Sequence, residues 1–185
     1  MPVSTLRAVL VRAAVVVALA SGCSPAVGEP APQAGYGEAD VRFSQEMIPH
    51  HRQTIALAKL AADRTRNTYV RELGESLAEG EQADIDVMAS WLRAWGRAVP
   101  EDHGSAHAMP GMLAPEQVAE LERSSGQGFD RKWLSVIVDH LEAGVQMAET
   151  VQAEGSHAET AELAEEIAAT QRARIEEIVG RTAPV

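Results

Sequence analysis

The chain has 185 residues but a single cysteine, Cys23, so an internal disulfide is excluded. Its stability must therefore come from an apolar core, and the length that follows the first forty residues is enough for one domain. A single cysteine that forms no disulfide has no obvious structural role unless it is modified. Cys23 is thus a candidate for covalent modification.

Basic tracts are also absent. The formal net charge is −11 at pH 7, with 16 Lys and Arg against 27 Asp and Glu. This excess of acidic residues argues against nucleic acid and against anionic lipid as partners. It is compatible with attraction of cations, although solvated helix faces explain the charge equally well.

Recognisable catalytic motifs are missing as well. The chain has no phosphate-binding loop, no zinc-protease helix, and no serine and histidine in a known catalytic context. We therefore expect a protein that is not an enzyme.

The first 23 residues have the pattern of an export signal. Arg7 and Arg12 form the positive start, residues 13–20 the apolar core, and Ser21, Gly22 and Cys23 the small-residue end. The apolar stretch is too short for a confident membrane span. The ending ALASGC resembles a bacterial lipobox, which predicts that Cys23 is lipidated and anchors the protein at the outer face of the cell membrane or in the periplasm. Ordinary cleavage after Ala20 is the alternative, and it would leave Cys23 free.

The rest of the sequence predicts an all-α fold. Residues 24–39 are rich in Pro, Gly and Ala and predict a flexible tether. Residues 40–180 predict an up-and-down four-helix bundle, with a first helix pair in 40–96, a crossover in 97–127 that includes a short helix, and a second pair in 128–180. The expected helices are Asp40 to Ala62, Asn67 or Thr68 to Trp95, Leu113 to Arg123, Phe129 to Ala153, and Ala158 to Ile178.

The first predicted helix carries candidate metal ligands. Met47, His50 and His51 are three and four residues apart, so a thioether and two imidazoles can face one space. Pro49 lies among them and costs the helix about 3 kcal/mol, which a purely structural helix would tend to avoid. The alternative is that both histidines are core residues bonded to carbonyl or carboxylate groups.

The two halves of the bundle form a weak internal repeat with an offset of 90 residues. Phe43 corresponds to Trp133 and His50 to His140, whereas His51 corresponds to Leu141. A duplicated helix pair would bring His50 and His140 close to a pseudo-twofold axis. Because the second half lacks the second histidine, we expect an asymmetric site.

The crossover has ligand character of its own. His103, His107, Met109 and Met112 lie in a segment with Gly and Pro that cannot form a continuous helix. Imidazole and thioether groups on such a segment suit Cu(I) or Ag(I), which accept few ligands and prefer soft sulfur. An ordinary surface crossover with incidental histidines is the alternative.

Taken together, these motifs resemble the domain-of-unknown-function family numbered 305, a ferritin-like family that includes periplasmic copper-binding proteins. The resemblance rests on D-x-x-F-x-x-x-MIPHH at residues 40–51, EQADIDVMASWL at 81–92, HAMPGM at 107–112, and D-x-x-W followed by DH at 130–140. It implies a ferritin-like bundle and the following ligands: Met47, His50, His51, His107, Met109, Met112 and His140.

Three functions are compatible with these features to different degrees. The first is an exported, lipid-anchored protein that sequesters or passes on copper, with Cu(I) favoured, silver as an analogue, and binding that weakens below about pH 6.5. The second, a di-iron oxidase, needs paired Glu-x-x-His motifs, and the only such motif here, at Glu154 and His157, contains a predicted turn. The third is an envelope interaction module with structural or pH-sensing histidines and an unknown protein partner.

Overall fold

Five helices make up the described part of the chain. The computed structural model describes residues 35–101, 109 and 111–183, and within these ranges there is no β-strand. The all-α class predicted from the sequence is confirmed. The helices are α1 (Glu38–Arg64), α2 (Thr68–Ala94), α3 (Pro115–Arg123), α4 (Gly126–Glu154) and α5 (Ala158–Thr182).

The folded domain begins earlier than the sequence predicts. We placed a flexible tether up to residue 39, but α1 starts at Glu38 and the Gly37 amide donates a 2.7 Å hydrogen bond to Asp40. The ring of Tyr36 stacks on that of Trp95, with centroids 4.4 Å apart. The tether prediction is therefore wrong for its last residues, because they are held by a contact with the end of α2.

The remaining N-terminal predictions concern residues outside the described ranges. The signal peptide, Cys23 and residues 24–34 all belong to that part of the chain. Among the described helices, none combines the length and apolar character that a bilayer crossing requires.

The four long helices enclose two apolar clusters. Helix α1 packs on α2 and α4, and α4 packs on α5. The first apolar cluster lies toward the start of α1 and includes Met47, Met88 and Ala148. The second apolar cluster lies toward the other end, includes Trp133 and Leu141, and is covered in part by Leu121 of α3. The space between the two clusters holds the buried polar groups described below.

Helix α1 continues through Pro49 without a break. Proline has no N–H, so the carbonyl of Gln45 receives no helical hydrogen bond from it. This irregularity lies one residue before His50.

Two buried carboxylates support the predicted internal repeat. Asp40, at the start of α1, accepts hydrogen bonds from the amides of Ser156 and His157 in the turn between α4 and α5. Asp130, ninety residues later, accepts a 2.6 Å hydrogen bond from the hydroxyl of Thr65 in the turn between α1 and α2. Each helix pair thus uses an acidic residue to hold the turn of the other pair.

Candidate metal centre

A layer of polar side chains crosses the bundle between the two apolar clusters. All four long helices contribute to it, and each member is at least 95% buried. Such a layer is costly unless its groups are hydrogen-bonded or bind a ligand. Its members are His50, His51, Thr54, Glu81, His140 and Gln171.

His50 and His140 form the centre of this layer. Their rings are stacked, with centroids 3.7 Å apart and planes 13° from parallel. This is the proximity that the 90-residue repeat predicts. Both ring nitrogens of His50 are buried, and neither has a hydrogen-bond partner among the described residues. An unsatisfied buried polar group costs about 1–3 kcal/mol, so these two nitrogens are expected to have a function that offsets this cost.

His140 contacts two backbone carbonyls. Its Nδ1 lies 2.9 Å from the oxygen of Gly111, and its Nε2 lies 3.2 Å from the oxygen of His50. A neutral imidazole has only one N–H, so it can donate to only one of these oxygens at a time. Donation from Nδ1 over the shorter distance leaves the lone pair of Nε2 facing the turn that carries His50. Each ring nitrogen of His140 thus lies against a backbone carbonyl.

The crossover backbone packs directly on the histidine pair. Gly111 has a φ of +80°, and a Cβ atom added there would lie 2.0 Å from the Cβ of Ala143 and 3.7 Å from Nε2 of His50. Only glycine fits this close approach in the left-handed region. Met109 and Met112, on either side of it, are half-buried. The structure therefore brings the methionine segment to the histidines.

His51 faces a different set of groups. Its Nδ1 lies 3.3 Å from Glu81, and its Nε2 lies 3.3 Å from Asp84. The centroid of its ring is 6.3 Å from that of His50. This arrangement matches the alternative that we kept open, in which a core histidine is paired with carboxylates.

The same surroundings shift the pKa values of the three histidines in different directions. Burial lowers the pKa of His50 well below its ordinary value, and the charges of His140 and His51 add to this effect. Burial also lowers the pKa of His140. For His51, burial is outweighed by Glu81 and Asp84, so its pKa is raised. His50 and His140 are therefore neutral near pH 7, as metal ligands must be.

The predicted ligands differ in their surroundings. Met47 is fully buried in the first apolar cluster, and the ring of His51 lies between the carboxylates of Glu81 and Asp84. His107, like His103, lies outside the described residues. The residues brought together are His50, His140 and the crossover segment that carries Met109 and Met112.

Sequence reasoning missed the roles of Glu81 and Gln171. The amide of Gln171 lies 3.5 Å from Glu81, again ninety residues away. A signal was present, since Glu81 interrupts an apolar stripe midway between Leu77 and Ile85 at four-residue steps. A charged residue on such a stripe predicts a buried pair or a site.

A metal in this layer would need ligands beyond the histidines. In residues 35–101, 109 and 111–183, no group of three or more His, Cys, Asp or Glu side chains could hold a metal ion. Imidazole and thioether groups are ligand types that suit a soft ion of low coordination number such as Cu(I) and suit a hard divalent ion poorly. The unpartnered nitrogens of His50 are consistent with such a ligand.

Fold and site together define a helical-bundle protein with a buried histidine centre. The family model described as "Domain of unknown function (DUF305)" matches residues 40–180. The chain belongs to this family. No curated protein sequence matches the chain.

Several solved structures are similar to the chain. A DUF305 fragment from Deinococcus radiodurans is 28% identical, with a TM-score of 0.71, and the match covers 78% of this chain and 95% of that one. A presumed secreted DUF305 protein from Streptomyces coelicolor is 24% identical, with a TM-score of 0.71 and coverage of 77% and 89%. CopM in its Cu(I)-bound form is 25% identical, with a TM-score of 0.64 and coverage of 76% and 93%.

Proposed function

We propose that this protein is an exported metal-binding protein that sequesters or passes on copper as Cu(I), with Ag(I) as a chemical analogue. The observation that carries the proposal is the imidazole of His50, which is buried with both nitrogens unpartnered among the described residues. A bound metal ion would satisfy one of these nitrogens. It would thereby offset the cost of burying an unpaired polar group.

The neighbouring groups support a soft metal. His140 would supply Nε2, released from the carbonyl of His50, while the carbonyl of Gly111 holds Nδ1, which is how a backbone carbonyl commonly orients a histidine ligand. Met109 and Met112 would supply thioether sulfur, the ligand type that selects Cu(I). CopM, which has the same fold, has been solved with Cu(I), Cu(II) and silver. Those structures concern a relative, and they make copper the first metal to test here.

The other predicted ligands have supporting roles in this proposal. His51 would hold Glu81 and Asp84 and so keep the turn that carries His50 in place. Met47 would pack the core beside that turn. His107 stays a predicted ligand of the crossover.

Export and anchoring are part of the same proposal. The presumed secreted relative from Streptomyces coelicolor supports export, and the lipobox-like sequence before Cys23 supports a lipid anchor. In cells, the wild type should fractionate with membranes and gain the mass of a lipid. A Cys23→Ser variant should do neither. A wild type that is released without a lipid would contradict the anchor.

A non-catalytic interaction module is the second candidate. It is favoured by the contacts of His51 and His140, which lie against carboxylates and carbonyls as structural histidines do. It does not explain why His50 is buried without partners among the described residues. Both candidates are binding proteins, and we propose no catalytic step for either.

Competition between the purified full chain and a chromogenic Cu(I) chelator, under reducing conditions, separates the two candidates. The metal proposal predicts that the wild type removes at least one equivalent of copper from the chelator. His50→Leu should lose this copper. His157→Asn is the matched control, because it removes a histidine far from the centre and keeps an N-cap side chain for α5. If the wild type leaves all copper on the chelator, the metal proposal fails.

A further inference from the structure

We infer that Gln53 is a positioning residue for the metal centre, because its side-chain amide fixes where the methionine segment of the crossover lies over His50 and His140. The inference rests on the proposed function. It concerns a residue that is not itself a ligand.

The contact of Gln53 with the crossover consists of two hydrogen bonds. Its Nε2 donates to the carbonyl of Leu113 at 3.0 Å, and its Oε1 accepts from the amide of Leu113 at 2.7 Å. A side chain that pairs with both the N–H and the C=O of one residue fixes the orientation of that backbone as well as its position. Leu113 is also anchored, since its side chain is buried in the second apolar cluster.

This pair of hydrogen bonds between Gln53 and Leu113, called the clamp below, lies next to the proposed sulfur ligands in the chain. Leu113 follows Met112, whose amide donates a 3.2 Å hydrogen bond to the carbonyl of Met109 and so closes a tight turn. Within this turn, the carbonyl of Gly111 holds Nδ1 of His140. A displacement of Leu113 would therefore shift the backbone that carries Met109 and Met112 and the carbonyl that contacts His140.

Gln53 also links the crossover to the other histidine. It lies on α1 three residues after His50, and residues at this spacing are neighbours on one helix face. The helix that presents the imidazole thus presents the clamp for the sulfur donors as well. Through Gln53, α1 would hold the sulfur donors of the crossover in a fixed relation to the imidazole of His50, as partners outside the ligand set commonly do.

Another glutamine of α1 provides a matched control. The amide of Gln45 donates a 3.0 Å hydrogen bond to the carbonyl of Ala98, on the part of the crossover that follows α2. It contacts the same crossover through the same chemical group, but far along the chain from Met109 and Met112. Replacing Gln45 should leave the centre intact.

X-ray absorption at the copper edge, recorded on the Cu(I)-loaded full chain, tests this role. The wild type should show both nitrogen and sulfur scattering. Gln53→Leu should lose most of the sulfur scattering, keep the nitrogen scattering, and bind Cu(I) about 10- to 100-fold more weakly, the range found when partners of metal ligands are removed. Gln53→Glu keeps the acceptor for the Leu113 amide and should be intermediate, whereas Gln45→Leu should match the wild type.

The possible failures are distinguishable. If Gln53→Leu keeps wild-type sulfur scattering and affinity, Gln53 has no positioning role, although the metal proposal stands. If the wild type binds no copper, the proposed function itself fails. Circular dichroism checks that each variant is helical; should Gln53→Leu not fold, Gln53→Glu with unchanged sulfur scattering and affinity would equally overturn the inference.

Discussion

The imidazole of His50 gives a prediction about stability that is independent of metal binding. Leucine has a similar volume and no polar atom, so His50→Leu removes two nitrogens that lack partners among the described residues. For the metal-free protein, we expect the free energy of unfolding to be unchanged or to rise by up to about 2 kcal/mol. Urea denaturation in the presence of a copper chelator measures this change.

The adjacent histidine provides the contrasting control. His51→Leu would leave Glu81 buried without its partner, and removing one member of a buried pair typically costs about 3–5 kcal/mol. Of the two substitutions, only His51→Leu should thus lower the free energy of unfolding. If His50→Leu destabilises the metal-free protein as much as His51→Leu does, His50 is a structural histidine. That result would contradict a metal ion bound at His50.

Gly111 combines two constraints that can be separated experimentally. Its φ of +80° disfavours any side chain, and an added Cβ would also lie 2.0 Å from the Cβ of Ala143. Gly111→Ala should lower the free energy of unfolding by more than about 2 kcal/mol, of which about 1–2 kcal/mol comes from the backbone alone, and should weaken Cu(I) binding. The chelator competition and urea denaturation provide the two readouts.

Gly96 serves as the control for backbone strain alone. It has a φ of +66°, but among the described residues no atom lies within 4 Å of the place that a Cβ would occupy. Gly96→Ala should cost about 1–2 kcal/mol and leave copper affinity unchanged. Equal effects of the two substitutions on copper affinity would show that the close approach of Gly111 to the histidines has no role in binding.

At the scale of elements, the two turn-holding carboxylates should differ in strength. Asp40 is fully buried and accepts from the amides of Gly37, Ser156 and His157. Asp130 accepts a hydrogen bond from the hydroxyl of Thr65. A hydrogen bond to a charged group contributes about 1.5–3 kcal/mol to stability, and Asp40 accepts more of them than Asp130 does. We therefore expect Asp40→Ala to lower the free energy of unfolding by about 3 kcal/mol or more, and Asp130→Ala by about half of that. Urea denaturation of both variants tests the order, and a larger loss for Asp130→Ala would contradict it.

The helices were largely predictable from the sequence because their apolar residues recur at helical steps. The start of α1 was not, because the stacking of Tyr36 on Trp95 joins residues far apart in the chain. The pairing of His50 with His140 followed from the repeat. The pairing of His51 with Glu81 did not, since it depends on how α1 faces α2. Local periodicity predicts elements, whereas contacts between elements decide which groups surround each histidine.

At the scale of the whole molecule, the buried histidines couple stability to pH. Histidines of the unfolded chain titrate near pH 6.5, whereas burial lowers the pKa of His50 and His140 in the folded protein. Below pH 6.5 the unfolded chain therefore binds protons that the folded chain does not, and stability falls as the pH falls. His51 has a raised pKa and acts in the opposite sense, because its contribution is present below pH 6.5 and is lost as the pH rises through the folded value.

Comparison of two proteins isolates the contribution of His50. As the pH falls from 7 to 5, the metal-free wild type should lose stability relative to His50→Leu, by at most about 1.4 kcal/mol per pH unit for one proton. Urea denaturation at several pH values gives the two curves. Parallel curves would mean that His50 takes up its proton in the folded protein as easily as in the unfolded chain, contrary to its burial.

Our proposal requires that a soft metal binds at His50 within the polar layer of the bundle. A crystal structure of the Cu(I)-loaded protein, with anomalous data collected at the copper edge, would locate this metal. We predict an anomalous peak within bonding distance of a ring nitrogen of His50, on the side of His140 and the methionine segment. A peak bound elsewhere, with His50 still free of any ligand, would contradict the proposal.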